Sequence, residues 1–283
     1  MQYENLINKL LDLGIEEDIN TGDITTESII PATMNAVATM TAKQAGVISG
    51  LDIVRMVYER FQQDVVFTPY CKDGDSVEKG DVILKIEASY PTLLRGERLS
   101  LNLFQRMCGI ATETAKYVKE LDSANTELLD TRKTAPGLRV LDKLAVKHGG
   151  GTNHRMGLYD MAMIKDNHIK MAGGITKAVE QVRSRIAEGI KIEVEATCLA
   201  EVQEAVAAGA DIIMFDNMTN EAMTEAAAYI KSTAKPIKTE ASGNMSIPRL
   251  KEVAATGVDY ISVGALTHTV KAMDISMNIQ VEK

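Results

Sequence analysis

The sequence predicts an α/β protein in two parts: an N-terminal α/β sandwich domain, followed by an open parallel α/β barrel of about six β-α units. In the second part, a short apolar run and an amphipathic stretch recur about every 25 residues, which is typical of strands and helices that build a parallel sheet. The N-terminal part instead mixes helical segments with alternating strand candidates, as an α+β layer does. We expect the sandwich domain at residues 1–112, with residues 268–283 packing back on it, and the barrel at residues 113–267.

The N-terminal part contains three predicted helices and three predicted strands. Alternation of apolar and polar residues predicts strands at residues 36–42, 65–69 and 81–87. Helical periodicity predicts helices at residues 5–13, 51–61 and 92–121, the last of which leads into the repeats. Residues 273–281 also alternate, which suggests a strand that returns to this first domain.

The barrel part contains six short apolar runs that predict parallel strands. They lie at residues 127–130, 161–164, 192–194, 212–215, 237–239 and 260–263. Helical stretches separate them, for example residues 199–208, which Gly209 ends, and residues 247–256, with Pro248 in the first turn and Gly257 at the end. Each strand and helix pair is thus one β-α unit.

The composition is that of a globular protein and argues against nucleic-acid binding. Apolar residues make up 45% of the chain and charged residues 25%, while aromatic residues reach only 4%. The 31 basic and 39 acidic residues leave a net charge of −8, the opposite of the basic surface that binds a phosphate backbone. An anionic ligand must therefore be bound by a local group of cations.

The sequence also bears on location and cysteine chemistry. No stretch approaches the roughly 18 consecutive apolar residues of a membrane span, and residues 1–17 carry acids where a secretion signal would carry bases. Cys71, Cys108 and Cys198 are odd in number and far apart, which favours small buried side chains over disulfides or a zinc site. We expect a cytoplasmic protein without membrane contact.

Charged and polar residues follow nearly every predicted barrel strand. The carboxyl ends of parallel barrel strands meet at one opening, where catalytic groups collect. The residues at these ends are Asp130, Arg132, Lys133, Lys165, His168, Glu193, Glu195, Asp216, Glu240, Ser242, Gly243 and Gly264. Together they predict an active site at this opening.

The charges at this opening sort by strand. Cations and imidazoles follow the first two strands, whereas carboxylates follow the third to fifth. Arg132 and Lys133 are suited to clamp a polyanion, and Glu195 and Asp216 offer the oxygen ligands that Mg²⁺ accepts beside a substrate phosphate. Gly243 and Gly264 fit the phosphate site that barrels often build after their last strands.

Two other functions are open from the residues alone. Lys165 at a strand end could form a Schiff base, as in a lyase. Residues 72–87 look like half of a lipoyl or biotinyl carrier domain but lack its modified lysine in a hairpin. His148, His154 and His168 have no metal-binding spacing, and Arg139, Lys143 and Lys147 fit the solvated face of a helix better than the cationic wall.

The same residues resemble the quinolinate phosphoribosyltransferase family nearly end to end. The motifs that carry the resemblance are residues 22–26 (GDITT), 46–50 (GVISG), 96–98 (GER) with Leu101 and Asn102, 130–134 (DTRKT), 148–155 (HGGGTNHR), 164–168 (IKDNH), 193–195 (EVE), 215–217 (FDN), 240–244 (EASGN) and 262–264 (SVG). Taken together, these motifs are highly specific. A relative of the same fold linked to molybdenum transport is the nearest alternative.

The resemblance implies a reaction and an assembly. Quinolinate and phosphoribosyl pyrophosphate would give nicotinate mononucleotide, pyrophosphate and CO₂, with Mg²⁺ required, as a step of de novo NAD biosynthesis. The family works as a homodimer, with a hexamer as the alternative, in which Arg98 reaches into the neighbouring subunit's site.

It also implies roles for the residues at the barrel opening. The quinolinate carboxylates would be held by Arg132, His154, Arg155 and Lys165, together with the partner's Arg98. Lys133 and Lys165 would face the phosphoribosyl donor, Glu195 and Asp216 the ribose hydroxyls and the metal, and Ser242, Gly243 and Gly264 the 5′-phosphate. Catalysis would then fall to Lys133, Lys165, Glu195 and Asp216.

Overall fold

The computed structural model describes residues 3–123 and 125–281, which divide into two compact units. The first unit comprises Met1–Ala115, Thr134–Gly150 and Leu266–Lys283, and the second comprises Lys116–Lys133 and Gly151–Ala265. Residues 134–150, which the sequence placed with the barrel, thus group with the first unit. A buried ion pair holds them there, because Asp142 accepts two hydrogen bonds from the Arg106 guanidinium at 2.8 and 2.9 Å.

The first unit is built on a four-stranded antiparallel sheet. Its strands, in spatial order, are β12 (Ile275–Val281), β1 (Asn35–Ala42), β5 (Val82–Ser89) and β3 (Val66–Pro69), and a two-residue pair joins β2 (Gly46–Val47) to β4 (Ser76–Val77). The helices are α1 (Glu4–Asp18), α2 (Ile24–Ile29), α3 (Leu51–Glu59), α4 (Tyr90–Leu121), which continues into the second unit, and α5 (Arg139–His148). The C-terminal strand β12 pairs with β1 along its whole length.

One face of this sheet forms the hydrophobic core of the first unit. Every second residue of β1, from Ala36 to Ala42, is buried, as the two-residue period of a strand requires. Tyr58 of α3 and Phe104 of α4 are fully buried in the same cluster. Burial of each such side chain contributes on the order of 1.5–3 kcal/mol. Helices against one face of an antiparallel sheet make the predicted sandwich.

The second unit contains six parallel strands in a nearly closed ring. They are β6 (Glu127–Leu129), β7 (Ala162–Ile164), β8 (Ile192–Ala196), β9 (Ile212–Asp216), β10 (Lys238–Ser242) and β11 (Tyr260–Ser262). Neighbours along the chain pair from β7 to β11, and β11 pairs with β6, so that the ring is open between β6 and β7. This is the open barrel that the sequence predicts.

Helices connect the barrel strands. They are α6 (Asp166–Ala172), α7 (Ile175–Arg183), α8 (Leu199–Ala208), α9 (Asn220–Ser232), α10 (Leu250–Ala254) after a 3-10 turn at Ile247–Arg249, and α11 (Ala265–His268). Gly209 ends α8 at a φ of 82°, a conformation that favours glycine. None of the helices within residues 3–123 and 125–281 is long and apolar enough to span a membrane.

The predicted elements agree with the structure in kind but differ at their ends. The fold class is confirmed, and α8 occupies the predicted residues 199–208. The fifth barrel strand, predicted to end at residue 239, continues through Glu240 to Ser242, where it pairs with β9. The predicted strand was too short because Glu240 interrupts the apolar run, and a carboxylate is unusual in a buried strand. The helix predicted over residues 247–256 is split into a 3-10 turn and α10.

Candidate active site

A cavity of about 800 Å³ opens at the carboxyl ends of the barrel strands, within the second unit. Most of the sequence-predicted site residues line it. The lining residues are Thr131, Arg132, Lys133, His154, Arg155, Met163, Lys165, Asp166, Ile169, Lys170, Glu195, Thr197, Glu201, Met214, Asp216, Glu240, Ser242 and Ser262. The strand ends therefore converge on one opening, as predicted.

Cations form one wall of this cavity. Arg132 and Lys133 follow β6, and Arg155 precedes β7, where its Nη1 donates to the Met161 carbonyl at 3.0 Å. Burial lowers the pKa of the Arg155 guanidinium, and the positive charge of Arg132 lowers it further. Two guanidinium groups that repel each other in a partly buried wall favour an anionic ligand between them.

Lys165 and Glu195 form an ion pair in the cavity. Lys165 lies directly before α6, and its Nζ donates to Glu195 Oε1 at the end of β8. The Lys165 side chain is 45% exposed and that of Glu195 is 15% exposed. These two predicted catalytic groups are thus paired with each other.

The loops after β9 and β10 form a second set of contacts at the cavity rim. The Asn217 amide donates to the Ser242 carbonyl at 3.0 Å, which ties the two loops together beside Asp216. Gly243 has a φ of +105°, and a Cβ there would lie 2.1 Å from Asn217 Oδ1. Gly243 and Gly264 follow the strands that carry the lining residues Ser242 and Ser262. The close approach of Asn217 therefore requires glycine at position 243.

His154, Glu193 and Glu240 form a buried cluster of three titratable side chains, of which His154 and Glu240 line the cavity, and sequence reasoning missed this contact. His154 Nε2 lies 3.1 Å from Glu193 Oε2 and 3.2 Å from Glu240 Oε2. The histidine side chain is 6% exposed and the two carboxylates are 0% and 1% exposed. Sequence position could have indicated this contact. Glu193 lies two residues before Glu195, and Glu240 lies two residues before Ser242, so each shares a strand face with a cavity residue.

The protonation of this cluster follows from its contacts. Burial acts to lower the pKa of His154, but hydrogen bonds to Glu193 and Glu240 outweigh it and raise the pKa to about 10. Burial, followed by the charge of Glu240, raises the pKa of Glu193 to about 7. On the other side of the ring, the Arg155 amide nitrogen lies 2.7 Å from His154 Nδ1. Nε2 faces the two carboxylates.

Asp130 anchors the loop that carries His154 and Arg155. Its carboxylate is fully buried at the end of β6. Oδ1 accepts the His154 amide at 2.8 Å, and Oδ2 accepts the Asn153 side-chain amide at 2.7 Å. A strand end and the following loop are thus joined by charge-assisted hydrogen bonds.

Arg98 is the one predicted site residue that belongs to the first unit. It lies on α4, where its side chain is exposed, and it is not among the residues that line the cavity. Lys143 is buried on α5, not solvated as its helical position suggested.

The barrel and its cavity define the class of protein: an α/β-barrel protein with a cavity at the carboxyl ends of its strands that guanidinium, ammonium and carboxylate groups line. Family comparison makes this specific. The family description "Quinolinate phosphoribosyl transferase, C-terminal domain" matches residues 110–278, and the corresponding N-terminal domain matches residues 23–108. The chain belongs to the quinolinate phosphoribosyltransferase family and is an enzyme of that family.

Individual relatives agree over nearly the whole chain. A probable nicotinate-nucleotide pyrophosphorylase (carboxylating) of Bacillus subtilis strain 168 is 45% identical over 96% of this chain and 93% of the relative. A mitochondrial quinolinate phosphoribosyltransferase (decarboxylating) of Nicotiana tabacum is 40% identical over 96% of this chain and 82% of the relative. The crystal structure of NadC from Streptococcus pyogenes superposes with a TM-score of 0.93 at 39% identity, covering 98% of this chain and 97% of that one. These relatives favour the predicted family over a molybdenum-transport protein, a Schiff-base lyase or a carrier module.

Proposed function

We propose that this chain transfers the phosphoribosyl group of phosphoribosyl pyrophosphate to quinolinate with loss of CO₂, giving nicotinate mononucleotide and pyrophosphate for de novo NAD biosynthesis. Family membership supports the reaction. The single observation that carries it into the site is the cavity itself, which arginine, lysine and carboxylate side chains line together. The cations suit two carboxylates and a pyrophosphate, and the carboxylates suit ribose hydroxyls.

The first step forms the bond between the pyridine nitrogen and the ribose carbon that loses pyrophosphate. We assign the quinolinate carboxylates to Arg132, His154, Arg155 and Lys165, and the donor's pyrophosphate to Lys133 and Lys165. Positive charge develops at the ribose carbon as pyrophosphate leaves, and preorganised carboxylates at Glu195 and Asp216 stabilise it. No covalent intermediate with the protein is required.

Glu195 and Asp216 also fit a role toward Mg²⁺. They lie at the ends of adjacent strands, line the same cavity and offer hard oxygen ligands, which this cation prefers together with water and substrate phosphate. When bound, Mg²⁺ supplies positive charge that neutralises the leaving pyrophosphate. We propose that the two carboxylates hold it through water and substrate, while their remaining oxygens accept the ribose hydroxyls.

The 5′-phosphate of the donor is assigned to the loops after β10 and β11. Ser242 lines the cavity. Gly243 directly follows β10, Gly264 follows β11 after one intervening residue, and neither has a side chain of its own. Backbone N–H groups at such loop positions bind phosphate in many barrels.

The second step is loss of CO₂ from the carbon beside the ring nitrogen. The bond to the carboxyl carbon breaks, its electron pair remains on the ring carbon, and the adjacent cationic nitrogen stabilises it until a proton from water replaces CO₂. The protein's part is to orient the dianion and to remove water from the carboxylate that leaves. A site built to pair two carboxylates also disfavours nicotinate, which leaves one buried cation unpaired.

The assembly we propose is a homodimer, with a hexamer as the alternative, in which Arg98 completes the neighbouring subunit's cavity. Its exposure on α4 and its absence from the lining residues of its own chain support this assignment. We also propose a cytoplasmic location, which the three free cysteines support, since disulfides are rare there.

The test is release of CO₂ and pyrophosphate by the purified protein with Mg²⁺, phosphoribosyl pyrophosphate and quinolinate, with nicotinate as the control substrate. We expect both products at equal rates from quinolinate alone. Arg132→Ala and Arg155→Ala should each lower kcat/KM by about 10²-fold or more. Arg185→Ala, an exposed arginine outside the cavity lining, is the matched control. Unchanged kinetics in both cavity variants would overturn the assignment.

A further inference from the structure

The buried carboxylates of Glu193 and Glu240 have no role in the reaction as described. Each is fully buried, and each has one oxygen, Oε2, close to His154 Nε2, at 3.1 Å for Glu193 and 3.2 Å for Glu240. Oε1 of each has no hydrogen-bond partner among residues 3–123 and 125–281. Burial of two carboxylates is costly unless a polar partner compensates for it. His154 is the polar contact that both carboxylates share.

The histidine connects these carboxylates to the cationic wall. The Arg155 amide nitrogen lies 2.7 Å from His154 Nδ1, so the rigid imidazole ring spans from the two glutamates to the backbone of Arg155. Asp130 fixes the same segment from the other side by accepting the His154 amide. The Arg155 backbone is thus held by a chain of contacts that begins at Glu193 and Glu240.

Both ring nitrogens of His154 are used in this chain of contacts. Nε2 faces the glutamates and Nδ1 faces the Arg155 amide. The glutamates also act on Arg155 by charge, because Glu193 raises the pKa of the Arg155 guanidinium against the effects of burial and Arg132. Position and charge of the guanidinium therefore depend on the same carboxylates.

We propose that Glu193 and Glu240 are positioning residues for quinolinate: acting through His154, they fix Arg155 where it binds a carboxylate of the substrate. The inference rests on the proposed function. It makes His154 a connection between buried carboxylates and Arg155, in addition to lining the cavity. The phosphoribosyl donor, held at Lys133 and at the loops after β10 and β11, should be little affected.

Loss of the two glutamate charges has opposite expected effects on quinolinate binding, depending on whether the carboxylates act by charge alone or by positioning Arg155. Removing negative charge near a cavity for a dianion should tighten quinolinate binding, whereas loss of positioning should weaken it. The double variant Glu193→Gln/Glu240→Gln preserves shape and removes both charges, so the sign of the change separates the two mechanisms. Glu188→Gln/Glu225→Gln removes the same charge from exposed positions outside the cavity lining and is the matched control.

The experiment is steady-state kinetics of the full-length protein with each substrate varied in turn. We expect the cavity double variant to raise KM for quinolinate about tenfold or more, to leave KM for phosphoribosyl pyrophosphate within about twofold, and to melt no lower than wild type. A lower or unchanged KM for quinolinate, or an equal rise for both substrates, would overturn the proposal.

A second readout does not depend on activity. In nuclear magnetic resonance of the four histidine rings, we expect the His154 signal not to titrate between pH 5 and 9 in wild type. In the double variant we expect its pKa to fall below the ordinary value of 6.5, because burial of the ring then acts without the two carboxylates. If the wild-type His154 ring titrates near pH 6.5, the contact of His154 with Glu193 and Glu240 is contradicted. If wild type releases no CO₂ from quinolinate while the ring behaves as expected, the proposed function fails and the role toward quinolinate fails with it, but the contact stands.

Discussion

Lys165 and Glu195 are paired in the cavity although each has a separate proposed partner. Quinolinate or pyrophosphate would take the Lys165 ammonium, and the ribose hydroxyls would take the Glu195 carboxylate. The pair must therefore separate when either substrate binds. Because the lysine is nearly half exposed, water screens the pair and its separation costs on the order of 1 kcal/mol or less.

Glu195→Gln should therefore bind quinolinate alone more tightly than wild type, because it leaves Lys165 free. We expect a Kd about two- to fivefold lower by titration calorimetry without the second substrate, together with a kcat about 10²-fold lower. Asp216→Asn is the control, since it removes a charge from the same cavity and its hydrogen-bonding contact is Asn217. An equal gain in both variants would assign the effect to net charge.

The buried cluster also predicts how stability depends on pH. The folded-state pKa of Glu193, about 7, lies above its ordinary value of 4.5, so its contribution is present below pH 4.5 and is lost as pH rises through 7. The pKa of His154, about 10, is raised from 6.5, so its contribution is present below pH 6.5 and is lost as pH rises through 10. Both effects lower stability as pH rises.

Glu193→Gln cannot ionise and should escape the first of these losses. Relative to wild type, the free energy of unfolding of this variant should rise by about 1–3 kcal/mol between pH 5 and pH 8.5, measured by urea unfolding at the two pH values. Glu188→Gln, at an exposed position, should show no such pH-dependent difference. A constant difference between Glu193→Gln and wild type would contradict the raised pKa.

At the scale of elements, the carboxyl ends of the strands decide the chemistry. β8, β9 and β10 run parallel and in register, so Glu195, Asp216 and Ser242 reach the same opening from three neighbouring strands. Two residues earlier, β8 and β10 carry Glu193 and Glu240. The two-residue period of a strand thus places the proposed positioning residues on the same strand face as the proposed binding residues.

A single added methyl group should destabilise the turn after β10. Gly243→Ala requires a φ of +105° that alanine rarely adopts and places Cβ against the Asn217 side chain. We expect a loss of about 1–3 kcal/mol in the free energy of unfolding and a higher KM for phosphoribosyl pyrophosphate. Chemical denaturation and kinetics measure the two.

Gly257→Ala is the matched control for this turn. Its φ is +88°, but a Cβ there meets nothing within 4 Å, so the substitution costs backbone strain alone. We expect about 1 kcal/mol of destabilisation and unchanged kinetics. If both variants behave alike, the close approach of Gly243 to Asn217 has no functional role.

At the scale of the whole molecule, the predicted site is divided between two units. The cavity lies in the second unit, whereas Arg98 lies on α4 in the first and is exposed. A symmetric dimer would allow the surface of one subunit to complete the cavity of the other. In the dimer that we propose, activity would be a property of the assembly rather than of the single chain.

Complementation tests this arrangement. Arg98→Ala and Arg132→Ala should each be nearly inactive, but random mixing by co-expression should restore about a quarter of wild-type activity, because half of the dimers then contain one complete site of two. Arg98→Ala mixed with Arg185→Ala should reach a higher value, since Arg185 lies outside the cavity lining. If the mixture of Arg98→Ala and Arg132→Ala recovers no activity, Arg98 does not complete the neighbouring subunit's cavity.

The sequence by itself determined the fold class, the strand ends that carry charge and the family. Hydrophobic period and turn residues are local properties of the chain, so they predict α8 and the six barrel strands without knowledge of neighbours. The separation of cations and carboxylates by strand was likewise readable, because parallel strands must present their carboxyl ends together.

Only the tertiary structure decided which of these residues touch. His154, Glu193 and Glu240 come from three separate β-α units, and their spacing has no period that predicts a contact. Ion pairing of Lys165 with Glu195 and the hold of Asp130 on His154 depend equally on the order of strands around the ring. A local pattern shows which face of a strand a side chain occupies. Its neighbours across the barrel are determined by the order of all the strands around the ring.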